Sequence, residues 1–99
     1  MFVSGMIAVD PKTGKMVSGG VKEQTERALM SLKAVLKEAG TSEKNVAKTT
    51  VYLRDGSKFK EMNEAYSKFF GKHKPARATL VTGFPRDDIL VEIEAVASK

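Results

Sequence analysis

The chain has 99 residues, 41% of them apolar, and a formal charge of +5 from seventeen Lys and Arg against twelve Asp and Glu. That length suits one domain, 1–99, hiding roughly 60–70% of its unfolded surface, and leaves no room for a second. With no cysteine and His73 as the one histidine, disulfides, thiolate metal sites and most transition-metal arrangements are excluded.

No apolar run is long enough to cross a bilayer, and Met1-Phe2-Val3-Ser4-Gly5 lacks the basic region and apolar core of a signal peptide. The expectation is a soluble chain in the cytoplasm. The positive charge raises nucleic acid as a partner. Yet the lysines are scattered, and the densest cluster, Lys72-His73-Lys74, has no interleaved aromatic residue for base stacking.

Residues 2–8 alternate weakly, as a strand does, and run into the turn-rich Asp10-Pro11-Lys12-Thr13-Gly14-Lys15. From Val21 to Ala39 apolar residues recur at helical spacing, with Val21, Thr25 or Ala28, Leu29, Leu32, Val35, Leu36 and Ala39 on one stripe and Gly40 placed to stop the helix. Val46 to Arg54, rich in Val, Thr and Tyr, predicts a strand. A second helix, capped by Asp55 or Ser57, runs to about Phe70 with Phe59, Met62, Asn63, Tyr66, Phe69 and Phe70 on its stripe, and Gly71 ends it.

Two closing strands follow, Pro75–Val81 and Ile89–Ala97, joined through a Gly83-Phe84-Pro85 turn. The order of strand, helix, strand, helix, strand, strand predicts an α+β fold, with two amphipathic helices on one face of a mixed sheet. Val91, Ile93, Ala95 and Ala97 share the face toward the helices. Leu90, Glu92, Glu94 and Val96 share the other. That second face is half apolar and half charged, which predicts an oligomer contact with clefts at its rim.

Arg77 shares a strand face with Thr79 and Val81. If its strand neighbours the last one, Arg77 and Glu92 or Glu94 meet across a strand pair. Such charges are costly to bury unless they pair, bind a ligand or line a wet cleft. A structural ion pair is the plain alternative for Arg77, a buried amide for Asn63 and β filler for Thr79. His73 reads as exposed and idle, Tyr52 and Tyr66 as packing residues, and the methionines as core or interface.

The ordered set Ser4-Gly5-Met6-Ile7, Asp10-Pro11-Lys12-Thr13-Gly14, Val46–Leu53, Met62-Asn63-Glu64-Ala65-Tyr66, Pro75-Ala76-Arg77 and Val91-Glu92-Ile93-Glu94-Ala95 resembles the YjgF/Rid family of reactive enamine and imine deaminases, also called L-PSP endoribonucleases. The resemblance covers essentially the whole chain. It implies a chorismate-mutase-like fold, a homotrimer with sites between subunits, and hydrolysis of 2-aminoacrylate-type enamines and imines to 2-oxo acids and ammonia without a cofactor.

The resemblance also implies roles. Arg77 matches the arginine that holds the substrate carboxylate, and Glu92 the glutamate that places the attacking water. Ser4 and Gly5 match the pocket-lining backbone and Asn63 a nearby helix residue; Thr79 stands where many members have cysteine, and Phe84 is a candidate pocket wall. Met6 replaces a common glutamine. Family chains usually open with a further strand and a Gly-Pro-Tyr-Ser-Gln-like turn, and the expectation is a sequence that begins after both. Two other functions stay open. One is cleavage of single-stranded RNA, inhibiting translation, though no second histidine pairs with His73. The other is a non-catalytic trimer that binds small carboxylates or acts as a chaperone.

Overall fold

The computed structural model describes residues 1–98. Strand β1 (Phe2–Met6) is followed by helix α1 (Val21–Glu38), strand β2 (Val46–Leu53), helix α2 (Phe59–Phe70), strand β3 (Ala76–Val81) and strand β4 (Val91–Ala97). The sheet order is β1-β4-β2-β3. β4 is antiparallel to both β1 and β2, whereas β2 and β3 are parallel.

This order has a topological cause. A helix between two strands carries the chain back, so the second strand runs parallel to the first. β1-α1-β2 and β2-α2-β3 are two such crossovers, and both step toward the β3 edge. The right-handed preference for each crossover then sets both helices on the same face. β4 fills the gap left between β1 and β2.

The elements end where the local chemistry requires. Gly40, with φ +81°, closes α1: Thr41 N–H donates to the Leu36 carbonyl at 2.9 Å and Gly40 N–H to the Lys37 carbonyl at 3.0 Å. At the other end of α1, the Glu23 carboxylate accepts from Gly20 N–H at 2.8 Å. Asp55 caps a 3₁₀ turn at Gly56–Lys58 rather than α2 itself, its carboxylate accepting from Ser57 N–H at 2.9 Å.

The core lies between the helices and one sheet face. Leu29, Leu32 and Leu36 of α1 and Met62 of α2 meet Val51, Leu53, Val91 and Ile93, all fully buried. Each such side chain contributes roughly 1.5–3 kcal/mol relative to exposure. Val35 departs from its expected place on the stripe and is exposed. Gln24 is buried instead, its amide donating to the Asp88 carbonyl at 2.8 Å and accepting from Leu90 N–H at 2.9 Å. The opposite sheet face carries Phe2, Thr50, Tyr52, Leu80, Glu92, Glu94 and Val96 with no layer of the described residues over it. Phe2 is 87% and Leu80 51% exposed there.

Candidate functional site

The expectation that Arg77 and Glu92 share a strand-pair face is overturned. β2 lies between β3 and β4, so the two closing strands form no hairpin. In the β2–β3 register Arg77 stands opposite Thr49, which is buried toward the helices. Glu92 stands opposite Tyr52 on the uncovered face. Within one protomer the two side chains therefore leave the sheet on opposite sides.

Arg77 is built into place by α2. Its Nη1 donates to the Asn63 amide oxygen at 2.7 Å. Its guanidinium carbon lies 4.6 Å from the centre of the Tyr66 ring and 5.5 Å from that of Phe59. Phe59, Asn63 and Tyr66 are spaced four and three residues apart, so one helical stripe presents all three to the arginine. Both rings offer their faces to the cation. The Tyr66 hydroxyl is in turn fixed at 2.6 Å from the Thr49 hydroxyl. Burial pushes the Tyr66 phenol up, partly offset by the Thr49 hydrogen bond and the Arg77 charge.

What Arg77 lacks among the described residues is an anionic partner. Among the described residues the ion pairs are Lys58–Glu61 at 3.7 Å and Arg86–Asp88 at 2.6 Å, so the structural pairing of Arg77 with Glu92 or Glu94 does not occur. The half-buried guanidinium opens on a cleft of about 370 Å³ lined by Asn63, Tyr66, Ser67, Lys74, Pro75 and Arg77 among others, none of the lining residues acidic. Its remaining N–H groups are suited to two parallel, charge-assisted bonds to a carboxylate. Thr79 points to the same sheet face two residues on.

Glu92 belongs to a second cluster. Between the pairs Val3–Ala95 and Met6–Ile93, β1 spends one residue more than β4, a bulge at Ser4–Gly5. Gly5 thereby lies hard against Glu92, and a Cβ at position 5 would run into the carboxylate. A side chain at position 5 would therefore require the Glu92 side chain to move. Glu94, on the same face, accepts a hydrogen bond from the Tyr52 hydroxyl at 2.7 Å, which is the main reason the Tyr52 phenol is pushed up. Tyr52 is thus a polar partner on the open face, not only a packing residue.

Two further expectations change. Phe84 does not wall the Arg77 cleft in the same protomer. It lies beyond the far end of β3, where the Arg54 guanidinium sits 5.2 Å from its ring centre. His73 is not idle, since its Nε2 lies 2.8 Å from the Val46 carbonyl oxygen and the ring is half-buried. The sequence reading also missed the support that Phe59 and Tyr66 give Arg77. Their spacing with Asn63 was the available signal.

The structure thus brings Arg77 together with Asn63, with Thr79 on the same sheet face, and separately Glu92 with Gly5, while Ser4 lines a hollow with Glu94. β1 and β3 are three strand spacings apart, about 14 Å. No helix among the described residues is long and apolar enough to cross a membrane.

Comparison with known proteins places these halves in context. The chain is 48% identical over 99 residues to a RutC family protein of Pyrococcus abyssi, covering all of this chain and 78% of that one. It is 44% identical over 98 residues to the human 2-iminobutanoate/2-iminopropanoate deaminase, covering 98% and 71%. The crystal structure of E. coli TdcF with bound serine superposes with a TM-score of 0.91 at 35% identity, over 99% of this chain and 79% of that one. The family model described as Endoribonuclease L-PSP matches residues 1–99, and with relatives of this identity and coverage the chain belongs to that family, the RutC/YjgF group.

Proposed function

We propose that the protein hydrolyses small 2-imino and 2-enamino acids to 2-oxo acids and ammonia, at sites completed when two protomers meet. The observation that carries this reading is the half-buried Arg77, oriented by Asn63 and two aromatic faces yet paired with no acid among the described residues. A guanidinium held so firmly without a counter-ion is prepared for a carboxylate from outside. The deaminase named among the relatives acts on acids of this kind, and the bound serine in TdcF is a small molecule with the same carboxylate.

In this reading Arg77 grips the substrate carboxylate and Asn63 fixes the angle of the grip. Protonation of an enamine at C3 gives the imine, whose C2 is attacked by water. The C–N bond then breaks and ammonia leaves. Glu92 of the partner subunit takes the proton from the water, with Gly5 leaving its carboxylate room to turn toward the substrate. Since Arg77 and Glu92 leave one sheet on opposite sides, a second copy of the chain is required to bring them to one substrate. A homotrimer of this kind would also cover the exposed Phe2 and Leu80.

Adding the protein to a dehydratase that releases 2-aminoacrylate tests the reading, with pyruvate and ammonia followed against time. Acceleration by wild type and not by Arg77→Ala is expected. Equal rates for wild type, Arg77→Ala and buffer would end it. The family description and the +5 charge favour a second reading, cleavage of single-stranded RNA. It predicts cleavage lost in both Glu92→Ala and His73→Ala, although His73 is engaged with the Val46 carbonyl.

A further inference from the structure

The Arg77 cleft has a second cation at its rim. Lys74 lines it together with Arg77, and no carboxylate lines it at all. Lys74 is in neither of the ion pairs found among the described residues. Its backbone is held from both sides. The preceding His73 is tied through its ring to Val46 and through its N–H to the Phe70 carbonyl at 3.2 Å. The following Pro75 confines residue 74 to extended conformations. Lys74 is exposed like most of the chain's lysines, but its backbone is anchored at the mouth of the cleft onto which Arg77 opens.

Two cations of one protomer, with no acid of that protomer among the lining residues, match two anionic groups on one small molecule. From this we infer that the site favours 2-imino acids bearing a second carboxylate, with the α-carboxylate on Arg77 and the distal one toward Lys74. The inference rests on the deaminase reading of the cleft and names its substrate class. The chemistry balances as for the simple acids: water adds to C2 of the imine, the C–N bond breaks, and the products are a 2-oxo dicarboxylate and ammonia. Such imines arise where an amino dicarboxylic acid is oxidised at its α-carbon or where its β-hydroxy derivative loses water, so the supplying reaction would be of one of these two classes.

A lysine exposed at a rim acts through high dielectric, so its effect is modest. A second charge at about 4 Å in water is worth roughly a five-fold change in affinity and weakens with added salt. Succinate and butanoate separate the terms, having four carbons each and differing in one terminal carboxylate. Calorimetric titration of the assembled full-length protein at low salt is expected to give succinate about three- to ten-fold tighter binding than butanoate. The ratio falls to about one in Lys74→Ala, inverts in Lys74→Glu, and shrinks in wild type at 0.5 M salt. A ratio unchanged by both Lys74 variants overturns the dicarboxylate preference while Arg77 keeps its role. Butanoate binding undiminished in Arg77→Ala overturns the reading of the cleft itself.

Discussion

Arg77 and Glu92 project from opposite faces of one sheet, with β2 between their strands. Each is prepared locally: the arginine by Asn63, Tyr66 and Phe59, the glutamate by a bulged strand whose glycine yields it space. Neither preparation serves an ion pair within the protomer. The separation keeps the two opposite charges apart within one protomer; under the proposed function a second copy of the chain brings them to one substrate.

Replacing Arg77 separates charge from geometry. Arg77→Lys keeps the charge but loses the planar fork and the contact with both rings. Steady-state kinetics should show kcat/KM lowered about 10²- to 10³-fold in Arg77→Ala, and by more than ten-fold in Arg77→Lys. A lysine variant with wild-type kinetics would show that bidentate recognition is not used.

Tyr66 supports Arg77 with its ring and Thr49 with its hydroxyl. Tyr66→Phe keeps the ring and leaves the buried Thr49 hydroxyl without this partner, so chemical denaturation should show a loss of about 1–3 kcal/mol with activity largely retained. Tyr66→Leu removes the cation's platform, and KM should rise further than in the phenylalanine variant. Identical kinetics in the two would remove Tyr66 from the account.

Gly5 and Glu92 yield a prediction about shape. Gly5→Ala must push the Glu92 carboxylate aside, because the new methyl group claims its space. Activity is expected to fall by at least ten-fold while substrate-analogue binding at Arg77 is kept. If Gly5→Ala works at the wild-type rate, Glu92 does not act from the position seen here.

Much of this was legible in the sequence, for identifiable reasons. The stripes of α1 and α2, and the glycines that stop them, are local signals. So is the alternation of β4, whose buried set Val91, Ile93, Ala95 and Ala97 is as its pattern predicts. Strand order is not local, and there the reading misplaced Glu92 against Arg77. Closeness in sequence suggested a hairpin, although residues 82–90 form a longer link than the two to five residues usual for one. The helix between β2 and β3 already argued for a parallel pair, which excludes β4 from that side of β3. Asn63 was read as a candidate for either the site or a buried amide, and the structure sets its amide oxygen 2.7 Å from Arg77 Nη1; Tyr66 beside it was passed over because an aromatic on a helix stripe looks the same whether it fills a core or carries a cation.

Acid should destabilise the fold through its caps. Glu23 and Asp55 are held below their ordinary values of 4.5 and 3.8, chiefly by the hydrogen bonds from Gly20 and Ser57. A carboxylate lowered on folding stabilises above its unfolded value, and that contribution is lost as pH falls through the lower folded value. Melting temperature should therefore drop below about pH 4, less steeply in Glu23→Gln with Asp55→Asn than in wild type. Parallel curves for the two proteins would mean that other carboxylates set the acid limit.

Mixing two variants probes the proposed shared site most directly. Arg77→Ala and Glu92→Ala are unfolded and refolded together in equal amounts, and imine hydrolysis is compared with either alone. Random assembly should restore about one quarter of wild-type activity, since each site needs an intact arginine from one protomer and an intact glutamate from its neighbour. No recovery from a mixture shown to contain mixed oligomers would contradict the account, because both residues would then have to act from the same chain.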